Sequence, residues 1–177
     1  MALVVFLRGA NVGGHRKFKP AALAKEMAKL GVVSLGAAGT FVVKKPVSAA
    51  ALRAELVRRL PFETEIMICP ASEILALEKK DPFSDPPAGQ DVRKLVTILA
   101  KKPKTLPKLP IRSPEGKDWQ VDFFGIAGRF AFTFWRRGSG ALIYPNAVAE
   151  KVLRIPGTTR SWSVIQTACG VLGDSPN

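Results

Sequence analysis

Six short segments fill the chain up to Cys69, and their order admits few topologies. The apolar run Ala2–Leu7 reads as a buried strand. A glycine-rich basic stretch, Arg8–Lys19, separates it from Pro20, which suits the first position of a helix. Leu23, Met27 and Leu30 recur at helical intervals over Ala21–Leu30, and Gly31 can take the left-handed cap. Val32–Leu35 and Thr40–Val43 read as two short strands joined by the Gly36–Gly39 turn. Ser48 is placed to cap a second helix, with Leu52, Leu56, Val57 and Leu60 inward and Arg53, Arg58 and Arg59 outward. Pro61 ends that helix, and Thr64–Cys69 reads as the next strand. The resulting order, β-α-β-β-α-β, is that of a split βαβ or ferredoxin-like unit: an antiparallel sheet with two helices on one face.

The second half reads as a degraded echo of the first. A short helix runs from Ser72 to Lys80, followed by the turn-rich linker Asp81–Gln90. Lys94–Ala100 reads as a strand. Pro103, Pro107, Pro110 and Pro114 then forbid a long helix. Trp119–Phe124 and Arg129–Trp135 alternate around Gly125–Gly128 as a hairpin, and Leu142–Tyr144 reads as a further strand. Asn146–Arg154 and Ser161–Leu172 read as helices, and Gly173–Asn177 as a disordered tail. The expected architecture is α+β, with two ferredoxin-like units: 1–80, a linker at 81–92, and 93–177.

Charge bounds the partners. The 177 residues hold 27 Lys+Arg against 14 Asp+Glu, a formal charge of +13. Such an excess favours polyanions, whether nucleic acid, an anionic membrane surface or phosphorylated ligands, and it also serves solubility. The opening apolar run is too short for a signal peptide, and no run approaches the roughly 20 residues of a membrane helix. A cytoplasmic protein with no membrane association is expected. Cys69 and Cys169 stand far apart, without CxxC or CxH spacing, so buried thiols and no metal are expected. No cofactor motif is found.

Two loops are candidates for an anion. In Arg8–Lys19, glycines between a strand and a helix can turn backbone N–H groups toward phosphate, with Arg8, Asn11, Gly13, Gly14, Arg16, Lys17 and Lys19 as its residues. The same glycines can simply permit a tight turn, and the loop is neither a Walker A motif nor GxGxxG. Near the end, Thr158 and Thr159 precede a helix, where they can cap it or share its N–H donors with an anion. Arg160 could clamp that anion, and Trp162 could stack on a base or fill the core. Lys94, Lys101, Lys102, Lys104, Lys108, Arg112 and Lys117 form a stiff cationic segment that reads as a phosphate track or as a solvated loop. Phe130, Phe132 and Phe134 share one strand face, which the core reading buries and an RNA-binding reading exposes. Catalysis has the least support. The lone His15 has no partner in the sequence, Asp118 and Asp122 form a weak pair, and no nucleophile elbow or HExxH motif is present.

Three stretches together carry a family resemblance: FLRGANVGGHRKFK at Phe6–Lys19, the strand, helix and linker ending in Asp81-Pro82-Phe83, and IYPNAVAEKVLRIPGTTRSWSVI at Ile143–Ile165. In this order they resemble the bacterial family called domain of unknown function 1697. The resemblance implies two packed ferredoxin-like units and no assigned activity. It marks Arg8, Gly9, Asn11, Gly13, Gly14, Thr158, Thr159, Arg160 and Trp162 as motif positions. The chain departs from the family pattern at Ala38-Gly39-Thr40, where a serine-glycine-asparagine turn is usual, and at Ser161 and Ser163, where asparagines are usual. The combined expectation is a basic protein that binds nucleic acid or another phosphate-rich anion. An enzyme acting on a phosphorylated small molecule and a protein-interaction module are the alternatives.

Overall fold

A computed structural model describes residues 1–87 and 91–174. It is mixed α+β, with two antiparallel sheets and, among the described residues, five α-helices. Contacts divide the chain into two compact units, Met1–Lys80 with the chain from Ser163 onward, and Asp81–Trp162. The division places the C-terminal helix with the first unit, where the sequence reading grouped it with the second. Parts of the expected linker (88–90) and tail (175–177) lie outside the described residues.

The first unit is built on β1 (Leu3–Leu7), α1 (Pro20–Glu26), β2 (Val32–Leu35), β3 (Thr40–Val43), α2 (Ala49–Arg59), β4 (Ile66–Pro70) and α3 (Ala71–Lys80). Its strands lie in the order β2-β3-β1-β4, and every pair is antiparallel. β1 sits inside the sheet and is buried on both faces, which is why it reads as a continuous apolar run. Leu3, Val5 and Leu7 join Phe41, Val43, Ile66 and Ile68 against Leu23, Met27, Leu52 and Leu56 of α1, its C-terminal turn and α2. Successive strand residues alternate faces, so Val4, Phe6, Val42, Met67 and Cys69 form a second buried layer. On that side α3 packs against β4 and β1.

Helix ends follow local chemistry. α1 begins at Pro20 and gives way after Glu26 to a short 3-10 turn, Ala28–Leu30, so the single helix expected to Leu30 is really two pieces. Gly31 takes the left-handed cap, with φ +64°. Ser48 caps α2 by accepting a 3.1 Å hydrogen bond from the Ala51 amide. Val57, expected inward, is 61% exposed. Leu52 and Leu56 set the buried stripe of α2, and Val57 lies about 100° round the helix from Leu56. Arg53, expected outward, instead reaches back to donate to the Ile66 carbonyl at 2.8 Å.

The second unit contains β5 (Arg93–Leu99), β6 (Ile111–Ser113), β7 (Val121–Ala127), β8 (Phe130–Trp135), α4 (Pro145–Leu153) and β9 (Gly157–Ser161), with α5 (Trp162–Gly173) starting at its boundary. Its sheet runs β6-β7-β8-β5-β9, again antiparallel throughout. No helix stands between β5 and β6 among the described residues, as the prolines there require. The hairpin turn lies at Gly128-Arg129 rather than Gly125–Gly128. A bulge near Phe124 shifts the register and lets β7 run on to Ala127. One face packs Phe123, Ala131 and Ile126 beneath Ala149, Val152 and Leu153 of α4. The other carries an aromatic cluster in which Phe83, fully buried, lies 5.3–5.9 Å from the ring centres of Phe124, Phe132, Phe134 and Trp162.

Two sequence expectations do not hold in this unit, and one of its strands was not expected. Leu142–Tyr144 is not a strand; Ile143 and its neighbours are held instead by side chains, the Ile143 carbonyl by the Trp135 indole and the Ile143 amide by Gln120. β6 arises inside the proline-rich stretch, paired to β7. Thr158, Thr159 and Arg160 do not cap a helix. They form β9, whose β-branched pair suits an edge strand beside β5, and α5 begins only at Trp162.

Candidate functional site

In the first unit the opening loop is a small hairpin. The Asn11 amide donates to the Arg16 carbonyl and the His15 amide to that of Val12, closing a two-residue turn. Gly13 and Gly14 both have positive φ, +57° and +79°, as a type I′ turn demands. The side chain of Asn11 fixes this hairpin to the sheet. Its Nδ2 donates to the carbonyls of Phe18 (3.1 Å) and Ala37 (2.7 Å), and its Oδ1 accepts from the Phe18 amide (2.9 Å). Asn11 itself adopts φ +54°, which asparagine tolerates better than most side chains. Arg16 folds back, donating to the Arg8 carbonyl at 3.2 Å. The Thr64 hydroxyl caps the same carbonyl.

The tight-turn reading therefore accounts for Gly13, Gly14 and Asn11. What the loop leaves outward is charge. Lys17 and Lys19 are exposed and make no hydrogen bond or ion pair through their side chains among the described residues. His15 is likewise exposed. α1 has only seven residues and no side-chain cap, so the anion site expected at its start has little helix behind it.

The closing motif belongs to the second unit. Thr159 bonds across to Thr97, hydroxyl to hydroxyl at 2.8 Å, on the face opposite Thr158 and Arg160. Arg160 is buried and donates to the Thr158 hydroxyl at 2.8 Å and the Thr159 carbonyl at 2.9 Å. Burial pulls its guanidinium down to about 10, so it remains a cation at neutral pH. Trp162 is buried in the aromatic cluster, where it acts as core. Phe130, Phe132 and Phe134 are buried as well, which excludes an exposed base-stacking sheet.

Two cationic features of the second unit face outward. Lys101, Lys102, Lys104, Lys108 and Lys117 are all exposed along the β5–β6 and β6–β7 connections. Their ammonium groups have no carboxylate partner among the described residues. At the start of β5 and the end of β8, a cleft of about 640 Å³ is lined by Asp91, Arg93, Trp135, Arg136 and Arg137. The sequence reading missed it. The signal was present in Trp135-Arg136-Arg137, an aromatic and two cations at a strand end. Only the pairing of β5 with β8 brings Arg93 opposite Trp135.

Neither cysteine is poised for chemistry. Both are buried, and burial together with Glu78 pushes the Cys169 thiol up to about 12. Among the described residues no group of three or more His, Cys, Asp or Glu side chains is gathered to hold a metal, and no helix is long and apolar enough to cross a membrane.

Comparison with known proteins agrees with this fold and names no activity. A family model described as "Protein of unknown function (DUF1697)" matches residues 1–125. No curated protein matches the chain. Among solved structures, the conserved bacterial protein SP0830 from Streptococcus pneumoniae is similar over 98% of both chains, with a TM-score of 0.57 and 19% identity. The family match covers the opening hairpin, the rest of the first unit up to Lys80, and β5 and β6 of the second, and by it the chain belongs to the DUF1697 family of unknown function.

Proposed function

We propose that this protein binds nucleic acid through its unpaired cations. The observation that carries the reading is the exposed, unpartnered lysines of the β5–β6 segment, with Lys17 and Lys19 of the opening hairpin adding to the same excess charge. Within a chain of +13, these groups have no acid partner among the described residues. Each one that meets a phosphate releases a condensed counterion, which favours binding at low salt. Prolines restrict the backbone of the segment, so less chain entropy is lost on binding.

The first unit has the element order and the β2-β3-β1-β4 sheet of a ferredoxin-like unit, and we read it as one. The second is read as a derivative that lacks the first crossover helix. Two buried cysteines outside any disulfide favour a reducing, cytoplasmic setting.

The test is fluorescence anisotropy with labelled single- and double-stranded DNA and RNA across a salt series. Replacing Lys101, Lys102, Lys104 and Lys108 with Gln should weaken binding to a single strand and reduce the log–log salt slope by about 3. An unchanged slope in a folded variant removes this segment from the interface. A second reading, an enzyme acting on a phosphorylated small molecule, is favoured by one feature: the Arg93–Arg137 cleft has the volume of a small-ligand site.

A further inference from the structure

The cleft in the second unit differs in kind from the lysine track. Its cations are arginines, and three of the four side chains that build it are set by contacts within the unit. The Trp135 ring is fixed by its indole N–H, which donates to the Ile143 carbonyl at 2.9 Å. Arg93, directly opposite it across the β5–β8 pair, lies with its guanidinium 5.5 Å from the ring centre. Arg136 is seated 4.0 Å over the Trp119 ring, and its Nε donates to the Trp119 carbonyl at 2.6 Å. Trp119 is itself buried. Arg137 is exposed and makes no hydrogen bond or ion pair among the described residues.

Among the described residues the lining holds three guanidiniums and one carboxylate, Asp91, a formal charge of about +2, with Arg93 and Arg137 exposed and the Arg136 donors turned to the Trp119 and Lys117 carbonyls. Arginine presents a planar fork of donors that matches phosphate oxygens two at a time. A phosphate diester carries one negative charge, whereas a phosphate monoester carries about −1.5 to −2 at neutral pH and offers three terminal oxygens. The monoester is the better match to this charge. The Trp135 ring, which takes the Arg93 guanidinium over one face, offers that face to a planar base when Arg93 turns to the phosphate. The volume of about 640 Å³ has room for a base and sugar beside the phosphate.

We propose that the cleft of Arg93, Trp135, Arg136 and Arg137 binds a nucleotide through a phosphate monoester, either free or as the phosphorylated end of a strand. The proposal deepens the anion-binding reading above and rests on it only for the sign of the ligand. The experiment uses the full chain and a labelled short single strand with and without a 5′-phosphate. Adenosine monophosphate, adenosine and inorganic phosphate are titrated in parallel by calorimetry. The Arg93→Gln, Arg137→Gln double variant is compared throughout, with Arg136 left intact because it holds the chain at Trp119.

The terminal phosphate should tighten strand binding about tenfold, and the double variant, with an unchanged circular dichroism spectrum, should erase that difference while keeping the salt-dependent remainder. Saturable binding of the mononucleotide but not adenosine, without strand binding, supports the cleft and sinks the nucleic-acid reading. Strand binding that ignores the terminal phosphate, with no mononucleotide binding, overturns the cleft proposal and leaves the lysine track standing. Binding of no probe at all overturns both.

Discussion

Replacing Asn11 with Ala tests whether the opening motif is built for the fold. The side chain makes three hydrogen bonds, two donated to the carbonyls of Phe18 and Ala37 and one accepted from the Phe18 amide. Each is worth about 0.5–1.5 kcal/mol net. The site is half-buried, so water can replace part of what is lost, and the lower half of the range applies. Asn11 also holds φ +54°, where an alanine is strained by about 1 kcal/mol. The expected loss is about 2.5–4 kcal/mol. Asn11→Gly separates the two contributions, because it removes the hydrogen bonds and relieves the strain. It should fall short of the alanine variant by about 1 kcal/mol. Asn11→Asp keeps the acceptor for the Phe18 amide but turns a carboxylate toward two carbonyls, so it should be no milder than glycine. Urea denaturation followed by far-UV circular dichroism reads all three. If Asn11→Ala lies within 0.5 kcal/mol of the parent, the clasp does not hold the loop, and the case for a structural motif fails.

Two further outcomes follow from the second unit and the thiols. Phe83→Ala empties the centre of a cluster of four rings, and should cost about 3–5 kcal/mol in the same denaturation experiment; a cost under 1 kcal/mol would show that the cluster does not depend on it. Cys69 and Cys169 should resist alkylation by a thiol reagent at pH 8 in the native protein and react within minutes once unfolded, because both are buried and Cys169 is pushed to about 12. Rapid native labelling of Cys169, followed by mass spectrometry, would contradict that burial.

What could be read from the sequence follows from how local its causes are. β2 and β3 fall where their β-branched runs and glycine turn place them, and Ser48 caps α2 because a hydroxyl beside an orphan amide needs no tertiary help. The errors lie where a distant strand decides. Thr158-Thr159-Arg160 has the residues of either a cap or a strand, and β5 alone, about sixty residues earlier, settles it by pairing. β6 is three residues long and sits among prolines, so no periodicity marks it, and only β7 holds it in place. The cleft was hidden for the same reason. Arg93 and Trp135 belong to one site through the register of two strands, and no spacing in the sequence records a register.

The opening and closing stretches of the family resemblance are largely used up by the fold itself. Gly13 and Gly14 make a turn, Asn11 ties it to Phe18 and Ala37, Arg16 braces the Arg8 carbonyl, Thr159 bonds Thr97, and Trp162 fills an aromatic core. A side chain whose donors are already engaged must break those bonds to meet a ligand, and each break sets a cost against the affinity gained. Side chains with no such engagement meet a ligand without that cost. Lys17, Lys19, the β5–β6 lysines and Arg137 are in that position, and Arg93 is committed only to a ring face. If this division holds, substitutions at the motif positions should lower stability and leave anion affinity per folded molecule nearly unchanged. Substitutions at the free cations should do the reverse. A folded Arg160→Gln or Asn11→Gly variant that lost binding while Arg93→Gln, Arg137→Gln kept it would invert the assignment and move the site back to the motifs.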